Sequence, residues 1–191
     1  MNKRARIAVF ASGVGSNFEA IVSACESGEL NADVLLVVCD KPQAEVVARA
    51  KRHNVESFAF EPKSYSSKSD YEREIVARLD ALGIELVCLA GYMRIVGDTL
   101  LRAYSGRIIN IHPSLLPAFR GARAVEQALE YGVKVFGITI HYVDESLDGG
   151  KIIAQQAFEY DGNSAEEVHS IGQTIEHKLY VRTIDKIINS R

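Results

Sequence analysis

The 191-residue chain is poor in the features that mark secreted and membrane proteins. It has three cysteines and no CxxC pair, which excludes a disulfide framework and predicts a reduced, cytoplasmic protein. No apolar run approaches the roughly 20 residues of a membrane-spanning helix. The basic start, residues 1–6, is followed by the short apolar run 7–11, which is too short for the core of a signal peptide. We therefore expect neither secretion nor a membrane location.

The chain also lacks a large excess of charge of either sign. Its 22 Lys and Arg against 25 Asp and Glu give a net charge of −3, so no global basic field favours nucleic acid and we expect none as a partner. Hydrophobic residues make up 47% and charged residues 25%, a composition typical of a globular protein with a buried core. The length predicts a single domain over residues 1–191.

Short apolar runs alternate with amphipathic segments of helical period along the chain. The early runs are continuous in Val, Ile, Leu and Ala, as in parallel strands that helices cover on both faces. This alternation predicts right-handed βαβ units in an open, mostly parallel α/β sheet. The last two strands flank a Gly/Asp-rich turn and predict an antiparallel edge hairpin. The predicted strands are residues 6–11, 33–39, 57–60, 84–90, 107–112, 135–143 and 151–158.

The C-terminal segment predicts one long helix from about residue 164 to residue 188. Its apolar residues recur at helical spacing, and Ser164 and Glu167 have the spacing of a capping box at its start.

Glycines and a helix start follow the first predicted strand, in residues 11–18 (ASGVGSNF). Glycine lets the backbone turn sharply, and free N–H groups with the helix dipole favour an anion there. We expect a phosphate site, with the alternative that Ser16 and Glu19 form a capping box beside a plain turn. The motif G-x-G-x-x-G would need glycine where Phe18 stands, which argues against NAD. Asp40, after the second strand, lies where a ribose-binding acid would lie, but it is equally a turn residue or a helix N-cap.

Two polar side chains interrupt the apolar fifth strand just before Pro113. Asn110 and His112 are two residues apart and project from the same face of an extended chain. Polar groups there cost free energy unless they are hydrogen-bonded, so a structural pair and a catalytic pair both remain open. Asp148, before Gly149 in the last turn, is first interpreted as a hairpin residue. Its functional interpretation is a carboxylate that orients a histidine.

Other catalytic patterns are missing from the sequence. There is no G-x-S-x-G nucleophile elbow and no cysteine with a neighbouring histidine. HExxH and clustered Cys/His are also missing, so we expect no metal site. Four further histidines are interpreted as surface or packing residues: His53, His141, His169 and His177.

Four segments together resemble one enzyme family. They are GSN at 15–17, LAGYMRI at 89–95, NIHPSLLP at 110–117 and LDGG at 147–150, and in this order they are similar to the phosphoribosylglycinamide formyltransferases, a branch of the folate-dependent formyltransferase family. The resemblance spans nearly the whole chain. It implies a Rossmann-like sheet of about seven strands with helices on both faces. It also implies formyl transfer from 10-formyltetrahydrofolate to the glycyl amine of 5-phosphoribosylglycinamide, in de novo purine (IMP) biosynthesis, by a cytoplasmic monomer or homodimer without a metal.

The same resemblance implies roles for individual residues, with a phosphate-binding half up to about residue 100 and a catalytic and folate-binding half over about 101–191. The implied catalytic trio is Asn110, His112 and Asp148. The residues implied for the ribose phosphate are Gly15, Ser16 and Asn17. Glu176, otherwise interpreted as a solvated charge on a helix flank, would bond the ribose hydroxyls. The residues implied for the folate are Lys68, Met93, Arg94, Ile95, Val96, Asn110, Val143 and Asp144.

Two positions depart from the family pattern. Lys68 aligns where the family often has an arginine for the glutamate tail of the folate, and lysine keeps the charge but loses the planar fork. Tyr92 replaces a frequent phenylalanine. Two other functions stay open: a deformylase-like hydrolase of formyltetrahydrofolate, which shares the central motif, and a non-catalytic nucleotide-binding module that uses only residues 13–17.

Overall fold

The structure is a computed structural model that describes residues 3–190. Met1 and Asn2, which open the basic start, and Arg191 lie outside the described residues, so the single domain over 1–191 stays a prediction. The strands are β1 (Ala5–Phe10), β2 (Ala32–Cys39), β3 (Glu56–Ala59), β4 (Leu86–Leu89), β5 (Ile108–His112), β6 (Val135–Tyr142) and β7 (Ile152–Glu159). The α-helices are α1 (Ser16–Ser27), α2 (Glu45–Arg52), α3 (Lys68–Ala81), α4 (Asp98–Ala103), α5 (Ala124–Tyr131) and α6 (Ala165–Asn189), with a 3-10 turn at Pro62–Ser64.

The strands form one open sheet in the order β3-β2-β1-β4-β5-β6-β7. Strands β1 to β5 are parallel to one another, whereas β6 is antiparallel to β5 and pairs with β7 in an edge hairpin. The predicted fold class is therefore confirmed, with strand ends shifted by one or two residues. The strand order reverses between β1 and β4, and open α/β sheets bind ligands at such a switch point.

Alternate residues of β1 face two different helix layers. Ile7 and Val9 pack with α1, α2 and α6, whereas Ala8 and Phe10 pack with α3 and α4. Both faces of the sheet are thus buried, which explains why the early strands are continuous apolar runs. A smaller cluster packs α5 against the edge hairpin and the start of α6.

The start of α6 forms half of the predicted capping box. The Ser164 hydroxyl accepts from the backbone N–H of Glu167 at 3.3 Å. The Glu167 carboxylate accepts from the Tyr160 hydroxyl at 2.5 Å, and not from the backbone N–H of Ser164 as in a complete capping box. The N-cap prediction is confirmed, and the reciprocal bond is replaced by a contact with the preceding turn. No helix within residues 3–190 combines the length and apolar character needed to cross a membrane.

His53 joins the end of α2 to α1 through two carboxylates. Its Nε2 lies 2.8 Å from Glu19 Oε1 and its Nδ1 lies 2.8 Å from Glu26 Oε1. The bond to Glu19, followed by the bond to Glu26, raises the pKa of His53. The predicted surface or packing residue is therefore a partly buried member of an ion-pair cluster.

We expect this cluster to make stability depend on pH. A histidine with a raised pKa stabilises the fold fully below its unfolded pKa of about 6.5 and loses that contribution as pH rises through the folded pKa. His53→Gln should lower the free energy of unfolding by about 1 kcal/mol at pH 6, the size of a partly exposed ion pair, and by less at pH 9. Urea unfolding of both proteins at both pH values measures this, and equal losses would contradict it.

Candidate active site

The loop after β1 enters α1 through a glycine that no other residue can replace. Gly15 is the N-cap of α1 and has a φ of 80°, and a Cβ there would lie 2.5 Å from the Val46 side chain. Both the left-handed backbone and the close packing require glycine. The alternative capping box of Ser16 and Glu19 is wrong, because Ser16 is already helical and Glu19 bonds His53. The N-terminal N–H groups of α1 remain open to an anion.

Two side chains of α6 lie against this helix start. Gln173 Nε2 donates to Ser16 Oγ at 2.8 Å, and Asn17 Nδ2 donates to Glu176 Oε2 at 2.8 Å. The other amide atom, Asn17 Oδ1, is buried without a partner among residues 3–190. Three predicted substrate residues thus lie together although they are far apart in sequence. Gln173 was missed, although its place one turn before Glu176 on the same helix could have indicated it.

The loop after β1 contacts the segment that follows β4, residues 91–96, at the switch point. Ser12 N donates to Gly91 O at 3.0 Å, and Met93 N donates to Ser12 Oγ at 2.9 Å. The side chains of Met93 and Ile95 are each 71% exposed, whereas Val96 is buried. Two exposed apolar side chains beside the polar groups at these strand ends suit a flat, partly apolar ligand.

Asp40 lies in the bend directly after β2, as the interpretation as a turn residue has it. The N-cap of α2 is Ala44, so Asp40 does not cap that helix. Its buried carboxylate accepts from Ser12 Oγ at 2.5 Å through Oδ1 and lies 3.6 Å from Arg94 Nε through Oδ2. Asp40 is 8% exposed, and its carboxylate is contacted by protein groups through both oxygens, which argues against its use by a nucleotide ribose.

Asn110 and His112 project from the face of β5 opposite to the apolar cluster that includes Ile109 and Ile111. The antiparallel register places Asn110 opposite His141 on β6. The Asn110 amide nitrogen lies 3.2 Å from His141 Nε2. His112 Nε2 donates to the backbone carbonyl of Phe119 at 2.9 Å, so its Nδ1 edge is the one turned toward the site.

Asp148 lies between the two histidines. Its Oδ2 is 3.6 Å from His112 Nδ1 and its Oδ1 is 3.7 Å from His141 Nε2. Asp148 has a φ of 48°, and its Oδ2 accepts from Gly121 N at 2.7 Å, which ties the β6–β7 turn to the loop before α5. The structure therefore brings the amide, the imidazole and the carboxylate of the predicted trio to one place.

His141 was interpreted as a surface or packing residue, and in the structure it is a buried residue that lies next to the predicted trio. Both of its ring nitrogens have partners in this buried position. Its Nδ1 donates to Tyr142 O at 2.8 Å, and its Nε2 faces Asn110 and Asp148. Burial lowers its pKa, so the ring is neutral at pH 7 and can accept from the Asn110 amide. The signal that would have found it is the cross-strand register, which a single sequence does not supply.

The remaining predicted residues lie on neighbouring loops and helix starts. Lys68 opens α3 and is exposed, and a Cβ on Gly97 would lie 2.7 Å from Lys68 Cε, so Lys68 borders the end of segment 91–96. Val143 packs against the same cluster as Val96. The Asp144 carboxylate accepts from Ser146, which lowers the pKa of Asp144. Within residues 3–190, no group of three or more His, Cys, Asp or Glu side chains is placed to hold a metal ion.

Comparison with known proteins decides the family. The model of the family described as Formyl transferase matches residues 5–184. The chain belongs to the formyl transferase family. It is 54% identical over 184 residues to the phosphoribosylglycinamide formyltransferase of Bacillus subtilis (strain 168), covering 96% of this chain and 94% of that protein. The predicted family is therefore confirmed.

Two further relatives of this formyl transferase agree with that assignment. The crystal structure of phosphoribosylglycinamide formyltransferase from Bacillus halodurans superposes with a TM-score of 0.92 at 51% identity, covering 96% of this chain and 95% of that one. The trifunctional purine biosynthetic protein adenosine-3 of Drosophila melanogaster is 38% identical in an alignment of length 192 that covers 98% of this chain and 14% of that protein. The predicted formyltransferase fold is confirmed by the superposition.

Proposed function

We propose that the chain transfers a formyl group from 10-formyltetrahydrofolate to the glycyl amine of 5-phosphoribosylglycinamide, a step of de novo purine biosynthesis in the cytoplasm. The observation that carries the proposal is the convergence of Asn110, His112 and Asp148 beside the switch point of the sheet. It occurs in a chain that is 54% identical to a phosphoribosylglycinamide formyltransferase along its length. A single domain acts as a monomer or homodimer, with no metal and no nucleic-acid or membrane partner.

The ribonucleotide binds at the start of α1. Its phosphate accepts from the N–H groups of the Gly15–Asn17 turn, where the helix dipole favours an anion. Its ribose hydroxyls donate to Glu176, whose carboxylate already accepts from Asn17. Ser16 and Glu176 are held by Gln173 and Asn17 in the structure, and phosphate and ribose replace those partners on binding.

The folate binds along segment 91–96. The exposed Met93 and Ile95 side chains supply apolar contact, and the backbone from Arg94 to Val96 supplies hydrogen-bonding groups. Val143 and Asp144 close on the ring from the turn after β6. Lys68, beside Gly97, faces the glutamate tail as a point charge rather than as a planar fork.

The transfer begins when the neutral glycyl amine attacks the formyl carbon. An α-amine has a pKa of about 7.7–8, so a fair fraction is neutral in the cytoplasm. The new C–N bond leaves an oxyanion on the formyl carbon, and the Asn110 amide and the Nδ1–H of protonated His112 donate to it. The Asp148 carboxylate, 3.6 Å from Nδ1, stabilises the imidazolium. Collapse breaks the bond to N10 of the folate. His112 gives its Nδ1 proton to N10 and then takes the proton that the attacking nitrogen releases, or a water held by Asp148 carries that proton to N10.

We infer that transfer is direct, because none of the three cysteines suits a covalent intermediate. The cysteines Cys25, Cys39 and Cys88 are all buried, and burial raises the pKa of Cys25 to about 11. A protonated, buried thiol is a poor nucleophile. A trapped formyl-enzyme would contradict direct transfer.

A mixing experiment separates the three candidate functions. The protein is combined with 10-formyltetrahydrofolate, with and without phosphoribosylglycinamide, and deformylation is followed by absorbance. Loss of the formyl group only with the ribonucleotide supports the proposal, whereas loss without it supports a deformylase-like hydrolase. No loss in either case, with thermal stabilisation by a nucleotide alone, would support the non-catalytic module.

A further inference from the structure

Ser12 and Asp40 form a buried polar pair that the proposed chemistry does not use. Ser12 is 3% exposed and Asp40 is 8% exposed, and the Ser12 hydroxyl donates to Asp40 Oδ1 at 2.5 Å. They follow β1 and β2, two neighbouring strands of the sheet. Buried polar groups lower stability unless their bonds are satisfied, so this pair is expected to hold something specific.

The partners of the pair are two consecutive residues of segment 91–96. Met93 N donates to the Ser12 hydroxyl at 2.9 Å, and Arg94 Nε lies 3.6 Å from Asp40 Oδ2. The four residues therefore form a closed ring, from Ser12 through Met93 and Arg94 to Asp40 and back. A hydroxyl that both donates and accepts links the ring members cooperatively.

The ring connects the two places where the proposed substrates bind. Ser12 directly precedes the glycine loop that leads to Gly15 and Asn17, and its backbone N–H is fixed by Gly91 O at 3.0 Å. Met93 and Arg94 belong to the proposed folate segment. The ring thus sets the spacing between the phosphate anchor of one substrate and the ring-binding segment of the other.

We propose that Ser12 and Asp40 are positioning residues that hold segment 91–96 at the distance from the phosphate loop that formyl transfer requires. This inference rests on the proposed function. Direct transfer between two bound molecules needs the reacting atoms about 3–3.5 Å apart, and a displacement of about 1 Å can cost roughly 100-fold in rate. Neither residue touches a reacting atom, so each acts through Met93 and Arg94.

Ser12→Ala tests the ring directly. We expect the KM for 10-formyltetrahydrofolate to rise about fivefold, which corresponds to the loss of a buried hydrogen bond of about 1 kcal/mol. We also expect kcat to fall about tenfold, because segment 91–96 is no longer held at the distance that transfer requires. The KM for phosphoribosylglycinamide should stay within about twofold, because the contacts of Gly15, Asn17 and Glu176 are unchanged. Amide hydrogen exchange at Met93, followed by NMR, should become faster.

A matched control removes a buried hydroxyl elsewhere. Thr183 on α6 is 3% exposed, and its hydroxyl donates only within its own helix, to Leu179 O at 2.7 Å. Thr183→Val should lower Tm to a similar degree and leave kcat and both KM values unchanged. If Thr183→Val reproduces the split of Ser12→Ala, the effect is one of general stability and the proposal is overturned.

Two substitutions of Asp40 remove one or both of its contacts in the ring, and the rise in the folate KM should differ between them. Asp40→Asn keeps the shape and an acceptor for Ser12 but loses the charge that faces Arg94, so we expect about a threefold rise in the folate KM and faster exchange at Met93. Asp40→Ala removes both contacts and should match Ser12→Ala. Should the alanine variants fail to fold, Asp40→Asn carries the test, and an unchanged folate KM with unchanged exchange at Met93 overturns the proposal.

The wild-type assay separates this inference from the function on which it rests. Wild-type protein that does not formylate phosphoribosylglycinamide contradicts the proposed function. Active wild-type protein with a folded Ser12→Ala variant of unchanged kcat and folate KM contradicts only the positioning role.

Discussion

Asn110→Ala is expected to lower kcat by roughly 10²–10³-fold, the loss that follows removal of one preorganised oxyanion donor. The Asn110 amide nitrogen lies 3.2 Å from the neutral His141 Nε2, which leaves the second amide proton for the developing oxyanion. The oxyanion that this proton stabilises exists only in the transition state, so kcat should fall far more than the KM for either substrate rises. Steady-state kinetics at saturating substrates, with thermal unfolding as a check of folding, measures the effect.

Asn189→Ala is the matched control for this change. It also removes an asparagine amide that donates one hydrogen bond, at 2.9 Å to Asp185 Oδ1 near the end of α6, far along the chain from β5. We expect wild-type kcat in this variant. Wild-type turnover in Asn110→Ala itself would remove Asn110 from the mechanism.

Asp148→Asn should lower kcat by roughly 10³-fold while the turn around it persists. Asparagine tolerates the left-handed φ of 48°, and its carbonyl oxygen can still accept from Gly121 N, which now bonds Oδ2 at 2.7 Å. What is lost is the negative charge 3.6 Å from His112 Nδ1, which stabilises the imidazolium. A comparable amide replacement of a carboxylate that orients a catalytic histidine and stabilises its imidazolium lowers kcat by about 10⁴-fold.

Asp161→Asn provides the comparison for the loss of charge alone. The Asp161 side chain is 93% exposed and lies 3.6 Å from Lys134 Nζ, so its neutralisation should leave turnover unchanged. If Asp148→Asn keeps more than about a tenth of the wild-type kcat, the carboxylate is a structural turn residue, which is the interpretation that the hairpin position favours.

The architecture was predictable because burial of a parallel sheet leaves a direct mark on sequence. Both faces of β1 are covered, so its residues are apolar without alternation, and helical period marks the segments between strands. The same local rules predicted the N-cap Ser164, whose hydroxyl bonds Glu167 N. The capping box that local spacing offered for Ser16 and Glu19 was wrong, because the Glu19 carboxylate bonds His53, a residue distant in sequence.

The site was predictable only in part. The residues of the trio were identified by the resemblance of their segments to a family, and the comparisons confirm that family. His141 carries no such mark, because its contacts with Asn110 and Asp148 arise from the register of two antiparallel strands. The position of Asp40 suggested a ribose-binding residue, a turn residue or a helix N-cap. In the structure its carboxylate accepts from Ser12 and lies beside Arg94.

By itself, the amino-acid order determined the layers of this protein, the ends of its strands where polar and glycine residues collect, and the segments that identify its family. These properties depend on periodicity and on neighbours in the chain, which a sequence records directly. Only the tertiary structure decided which of those strand ends face one another. In the ring from Ser12 to Arg94, Ser12 bonds Met93, 81 positions along the chain, and in the bridge to Asp148, Asn110 contacts His141, 31 positions along the chain. Such contacts depend on strand order and register, which the global packing of the sheet sets and no local pattern contains.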